Sequence, residues 1–160
     1  MSRNAVYPGT FDPITNGHQD LVRRAAGIFD RVVVAIAANT NKTPMFSLEQ
    51  RVSLARQVLK RCAQRGSAGL YRPHRGFRAS QWHQRHRARV ARGVGLRVRV
   101  SARHHVAASF AGVETVFLTP QEQFTFISST LVREIATFGG DVSEFVHPIV
   151  AAELKKMKQA

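Results

Sequence analysis

The sequence predicts an α/β protein built on a parallel sheet. Three observations carry this reading. The first sixty residues run strand, helix, strand, helix. The second strand, Arg31-Val-Val-Val-Ala-Ile-Ala-Ala38, is apolar on both faces, as a strand covered on both sides is. The stretches between the strands place apolar residues at helical spacing. Such a βαβ unit is right-handed by default. The 160 residues amount to one domain, and a single domain over 1–160 is expected.

In chain order, Asn4 to Tyr7 reads as a short strand. Pro8-Gly-Thr makes a turn, and Asp12, Pro13 and Gly17 keep the next stretch irregular. Leu21, Val22, Ala25, Ala26 and Phe29 then mark one face of a helix. After the second strand, Asn39 to Pro44 is a polar loop. Ser47 with Gln50 forms a capping box. The helix from Leu48 to about Arg61 groups Val52, Ala55, Val58 and Leu59 on one side. Gly112 to Thr119 reads as a buried strand, Pro120 to Gln123 as a turn, and Leu131 to about Phe138 as a helix stopped by Gly139-Gly140. Asp141 or Ser143 caps a short turn. Pro148 opens a last helix whose Lys155, Lys156 and Lys158 suit its C-terminal dipole.

Composition narrows the class. The longest apolar run, Val32 to Ala38, is seven residues, too short for a membrane helix. Asp12 and Asp20 precede any apolar stretch of signal-peptide length. The single cysteine, Cys62, excludes an internal disulfide framework. A cytoplasmic protein without a membrane partner is expected. The net charge of +14 invites a nucleic-acid reading, but its distribution is uneven. Gln64 to Ser109 holds eleven arginines, no lysine and no acid, which leaves 13 bases against 10 acids elsewhere.

Open parallel sheets bind ligands at the carboxyl ends of their strands. Pro8 to His18 lies just after the first strand and ends on the following helix's first turn. Gly9 and Gly17 allow close backbone approach. Free amides at that helix start suit phosphate, and His18 can donate to a phosphate oxygen. Lys42 follows the second strand at the same sheet edge. Ser128, Ser129 and Thr130 start a later helix, a second anion site, with Arg133 one turn on.

These residues carry a resemblance. Gly-x-Phe-Asp-Pro-x-x-x-Gly-His, containing Thr15-Asn-Gly-His18, resembles the T/HxGH signature of a nucleotidyltransferase superfamily. Ile127-Ser-Ser-Thr-x-x-Arg133 resembles its ISSTxxR motif. With Asn39-x-x-Lys42 and Phe46-x-x-x-x-Arg51, the chain is similar to the bacterial phosphopantetheine adenylyltransferases over about residues 4–62 and 110–158. The resemblance implies a Rossmann-like, doubly wound, five-stranded parallel sheet with helices on both faces. It implies adenylyl transfer from ATP to 4′-phosphopantetheine, with Mg²⁺ entering on ATP and no metal bound by protein alone, in a homohexamer built as a dimer of trimers. His18 and Lys42 would be catalytic. Thr10 and Lys42 would hold the acceptor. Gly9, Thr10, Phe11, His18, Phe124, Thr125, Phe126, Ile127, Ser128, Ser129, Thr130 and Arg133 would hold ATP. The rival within the superfamily is a nicotinamide or nicotinate mononucleotide adenylyltransferase.

The arginine-rich block departs from the family, which has a strand and helix there and then a motif like RGLRAVSDFEYEF. Codons permitted for His86 to Val100, read one nucleotide forward, give IVRGLRAVSDFEYE. The block therefore reads as out-of-frame text, with a compensating shift near Ser109 and no change in length. The family's acceptor-binding arginine would fall in the slot of Ala88. Its Gly-Leu-Arg would fall at Arg89, Val90 and Ala91, its nucleotide-contacting glutamate at Arg99, and a backbone contact near His74. No site is carried into the block. As written, it is expected to disrupt the strand and helix completing the sheet and to leave an inactive chain. A basic arm for nucleic acid, with Trp82 and Phe77 to stack, is a weaker reading. A metal site from His83, His86, His104 and His105 lacks a ligand set.

Overall fold

The computed structural model describes residues 3–37, 44–63, 68–71, 97–101 and 113–158. Five strands form one sheet: β1 (Asn4–Gly9), β2 (Arg31–Ile36), β3 (Ala68–Tyr71), β4 (Arg97–Ser101) and β5 (Val113–Phe117). Their spatial order is β3-β2-β1-β4-β5, and every pairing is parallel. The chain winds outward from β1 to β3 and then returns to β4 on the other flank. The order therefore reverses at β1, and a crevice opens beyond its carboxyl end.

The helices are α1 (Asn16–Ile28), α2 (Leu48–Val58), the single turn α3 (Lys60–Ala63), α4 (Ser129–Thr137) and α5 (Pro148–Lys158). The right-handed rule places α1 and α2 on one face. The links that would cover the other face, residues 72–96 and 102–112, lie outside the described residues. Helix α1 buries Leu21, Val22 and Ala25, and Phe29 closes its end. The face Val52, Ala55, Val58 and Leu59 is buried as its spacing predicts. The expected single helix to Arg61 breaks at Leu59, whose amide bonds Ala55 O and Gln57 O before a short turn follows. Ser47 and Gln50 close their capping box reciprocally. These side chains, with Val32, Val34 and Ile36 of β2 and Val132, Val146, Val150 and Leu154 of the C-terminal part, make one continuous core.

One correction concerns the arginine-rich block. Its expected disruption of the sheet is not what the strands show, because Ala68–Tyr71 pairs with β2 and Arg97–Ser101 pairs with both β1 and β5. Arg97-Val-Arg-Val-Ser101 alternates with period two, a strand pattern, and β-branched valines favour it.

The C-terminal signals hold. Gly139 takes φ 82°, and the amides of Gly139 and Gly140 donate to Ala136 O and Ile135 O, a Schellman end. Asp141 accepts from the Ser143 amide and hydroxyl at 3.0 and 2.7 Å. Among the described residues, no helix is long and apolar enough to cross a membrane.

Candidate active site

The turn after β1 is rigidly built. Thr10 exposes its side chain. Phe11 is only 2% exposed and adopts φ 51°, a left-handed conformation that costs a non-glycine residue roughly 1 kcal/mol or more. Its ring meets Tyr7 edge-on at 5.4 Å and His18 at 5.0 Å. The Phe11 side chain thus belongs to the core and supports the imidazole. Any contact it offers a nucleotide comes from its backbone.

His18 is the third residue of α1, whose N-cap is Thr15. Its Nδ1 accepts from the Thr15 backbone N–H at 3.0 Å and lies 2.9 Å from Thr15 Oγ1. An amide N–H can only donate, so Nδ1 is the acceptor nitrogen and the ring proton is on Nε2. Burial of the ring pulls its pKa down to about 4. The imidazole is therefore neutral near pH 7, with Nε2–H as its one donor.

The sequence suggests a row of free amides at this helix start, and the structure narrows it. Asn16 N–H donates to Phe145 O at 2.9 Å, and His18 N–H is capped by Thr15 Oγ1 at 3.4 Å. The donor presented by this turn is the imidazole more than the backbone. Gly17 packs against the Phe124 segment: a Cβ there would sit 3.4 Å from Phe124 O, an ordinary contact.

The start of α4 is packed against the same turn. Ser129 Oγ donates to Pro13 O at 2.8 Å. Arg133 Nη1 donates to the Asp12 carbonyl and lies 3.4 Å from its carboxylate. Ser128 caps α4 by accepting from Leu131 N–H. Thr130 Oγ1 accepts from Arg133 Nη2 at 3.3 Å. The segment before it is compact: Thr125 N–H bonds Glu122 O and Ile127 N–H bonds Phe124 O. Phe124 and Ile127 are half-buried, Thr125 is exposed, and Phe126 is 87% exposed. Gly9, Thr10, Phe11, His18 and residues 124–133 are thus assembled at one edge of the sheet. Arg133 faces the turn and Asp12. Lys42 lies outside the described residues.

Two buried charges in this frame are absent from the sequence-predicted site. Asp12 accepts from the Met45 and Phe46 amides, both at 2.9 Å. Arg51 spreads its guanidinium over three carbonyls, Phe46 O at 3.1 Å and Thr10 O and Ala37 O each at 2.8 Å. An acid in a turn and an arginine in a helix look like surface residues in a lone sequence. The only signal that could have found them was their recurrence in the family pattern.

The fold and the paired helix starts define a nucleotidyltransferase-type site. The cytidylyltransferase-like family model matches residues 6–135. A phosphopantetheine adenylyltransferase from Thiobacillus denitrificans is 47% identical over 95% of each chain. One from Nitrosospira multiformis is 46% identical over 94% of this chain and 91% of its own. The nicotinic acid mononucleotide adenylyltransferase of Plasmodium falciparum has the same fold, with a TM-score of 0.70 at 14% identity over 98% of this chain and 96% of that one. The chain belongs to the cytidylyltransferase-like family and, within it, to the phosphopantetheine adenylyltransferases.

Proposed function

We propose that the chain transfers the adenylyl group of ATP to 4′-phosphopantetheine, giving dephospho-CoA and pyrophosphate. The observation that carries the reading is the neutral His18, its Nε2–H held at the carboxyl edge of β1 by Thr15 where the start of α4 also arrives. The names of the relatives support the choice of acceptor.

A phosphate oxygen of the acceptor attacks the α-phosphorus of ATP in line. The bond from that phosphorus to the bridging oxygen breaks, and pyrophosphate leaves with the electron pair. No protein nucleophile is needed, so the protein positions the groups and stabilises charge. His18 Nε2–H donates to the α-phosphate as its charge redistributes. Thr10 orients the acceptor's phosphate, with Lys42 as its cation. The stretch from Phe124 to Thr130 holds the nucleotide. Asp12 has both carboxylate oxygens on amides, so this turn offers no ready carboxylate ligand. Mg²⁺ fits as a companion of ATP's phosphates and would neutralise charge on them. The reading includes a cytoplasmic setting and a homohexamer.

The arginine-rich text bears on activity. In our reading the block is out of frame. A chain in that form lacks the arginine, the Gly-Leu-Arg and the glutamate expected at positions 88, 89–91 and 99.

The test is pyrophosphate release from ATP with 4′-phosphopantetheine, nicotinamide mononucleotide or nicotinate mononucleotide as acceptor. It is run on the chain as written and on one carrying the restored in-frame segment. Turnover with phosphopantetheine alone, strong in the restored chain and weak in the written one, is expected. His18→Ala is expected to lower the restored rate by about 10²–10³-fold. Turnover with a mononucleotide alone overturns the choice of acceptor.

A further inference from the structure

The Asp20 side chain is only 2% exposed, two residues past His18 on α1. A carboxylate buried in this way is costly unless its oxygens are bonded, and both are. Oδ1 accepts from the Arg23 guanidinium at 2.7 Å, whose side chain is mostly exposed. Oδ2 accepts from the backbone N–H of Gln121 at 3.0 Å, 101 positions along the chain. The second bond is the one that leaves the helix.

Gln121 begins a series of bonds that ends at α4. Its carbonyl accepts from the Phe124 amide at 2.9 Å and from the Thr125 hydroxyl at 3.4 Å. Phe124 O accepts in turn from the Ile127 amide at 3.2 Å, next to the Ser128 cap of α4. The same segment meets α1 at a second point, where a Cβ on Gly17 would lie in contact with Phe124 O and Phe124 Cβ. Gly17 and Asp20 stand on either side of His18 in the chain, so the imidazole and the segment 121–127 rest on one stretch of helix.

We propose that Asp20 is a positioning residue for the nucleotide: by holding the Gln121 amide it seats the segment 121–127 at a fixed offset from His18, without touching the ligand itself. The proposal rests on the functional reading above for the nucleotide's identity and place. What the segment requires of position 20 is an acceptor oxygen at this reach. The negative charge answers Arg23, which water can solvate instead. Asparagine therefore preserves the role and alanine does not. Glutamate keeps the charge and the oxygen but moves the oxygen outward by one methylene. Misplacement by about 1 Å costs on the order of 10²-fold where reacting groups are held in a set geometry.

The experiment compares D20N, D20A and D20E with the wild-type chain by backbone hydrogen exchange and thermal melting. In the restored, active chain it adds initial rates against ATP and against 4′-phosphopantetheine. In D20A, peptides covering residues 122–128, which hold the bonded amides of Phe124, Thr125 and Ile127, are expected to exchange faster while α5 is unchanged. KM for ATP is expected to rise roughly tenfold or more, with KM for phosphopantetheine within about twofold. D20N is expected to match the wild type in exchange and in both KM values. An unchanged KM for ATP in D20A, or an equal rise in both KM values, overturns the proposal. D20N as defective as D20A also overturns it, because charge and not reach would then be what counts. Uniformly faster exchange with a lowered melting temperature overturns it as well, since it marks a merely structural carboxylate. Should D20A fail to fold, D20E decides: a raised KM for ATP is expected, and a normal one sinks the proposal. If the restored wild-type chain does not use ATP, the functional reading is what fails, and the exchange contrast between D20A and D20N alone decides whether Asp20 seats the segment.

Discussion

Asp12 and Arg133 stand 121 positions apart in the chain, and the Arg133 guanidinium lies 3.4 Å from the Asp12 carboxylate. The pair ties the turn after the first strand to α4. Asp12 also accepts from two amides, so one small carboxylate joins three pieces of chain. Asp12→Asn replaces an acceptor oxygen by a donor that faces an amide N–H or Arg133. A loss of about 1–3 kcal/mol is expected. Urea denaturation of the two proteins measures it, and equal midpoints would remove Asp12 from this role.

Thr15 holds His18 through both its backbone and its hydroxyl. Thr15→Val keeps the backbone donor and deletes the cap. A loss of about 1 kcal/mol in unfolding free energy is expected, whereas Thr15→Ser should restore most of it. Chemical denaturation of the three proteins gives the comparison.

The imidazole supplies a pH signature. Its folded pKa of about 4 lies below the unfolded value of about 6.5. Between these values the unfolded chain binds more protons, so stability rises with pH across that window. The contribution of His18 is full above about 6.5 and is lost as pH falls towards 4. In His18→Gln the same stretch of the stability curve should be flatter. Denaturation midpoints measured between these limits test this, and parallel curves would contradict a neutral imidazole.

Gly9 is packed beneath the Phe11 ring. A Cβ at this position would lie 2.9 Å from Phe11 Cε2, and that ring is braced by Tyr7 and His18. Gly9→Ala is expected to destabilise by about 1–3 kcal/mol through overpacking, and to weaken ATP-dependent turnover more than Gly27→Ala. A Cβ on Gly27 would meet nothing within 4 Å. Thermal melts and initial rates of both variants separate the two effects.

A tandem-mass peptide map across residues 61–112 of protein expressed from the source gene decides the status of the basic block. Peptides reading RGLRAVSDFEYE are expected. Peptides with the arginine-rich text would make the block a real part of the molecule, and steeply salt-dependent nucleic-acid binding would then be its first test.

Much of the fold was legible because periodicity reports burial. The apolar run of β2 and the stripe Val52, Ala55, Val58 and Leu59 each fall where their spacing puts them. The capping box of Ser47 and Gln50 closes as the sequence predicts. What stayed hidden was the work of side chains against distant backbone. Nothing local in the sequence says that Arg51 reaches Thr10 O, or that Arg133 faces Asp12. Such bonds depend on how strands are ordered in space.

The bond from Ser129 Oγ to Pro13 O has a consequence for synthesis. The ribosome makes the imidazole end of the pocket early and the α4 end more than a hundred residues later. An emerging chain holds His18 long before it holds the wall opposite. Nucleotide should therefore have no complete seat on a nascent or prematurely ended chain, and ligand binding can report only on chains translated through α4.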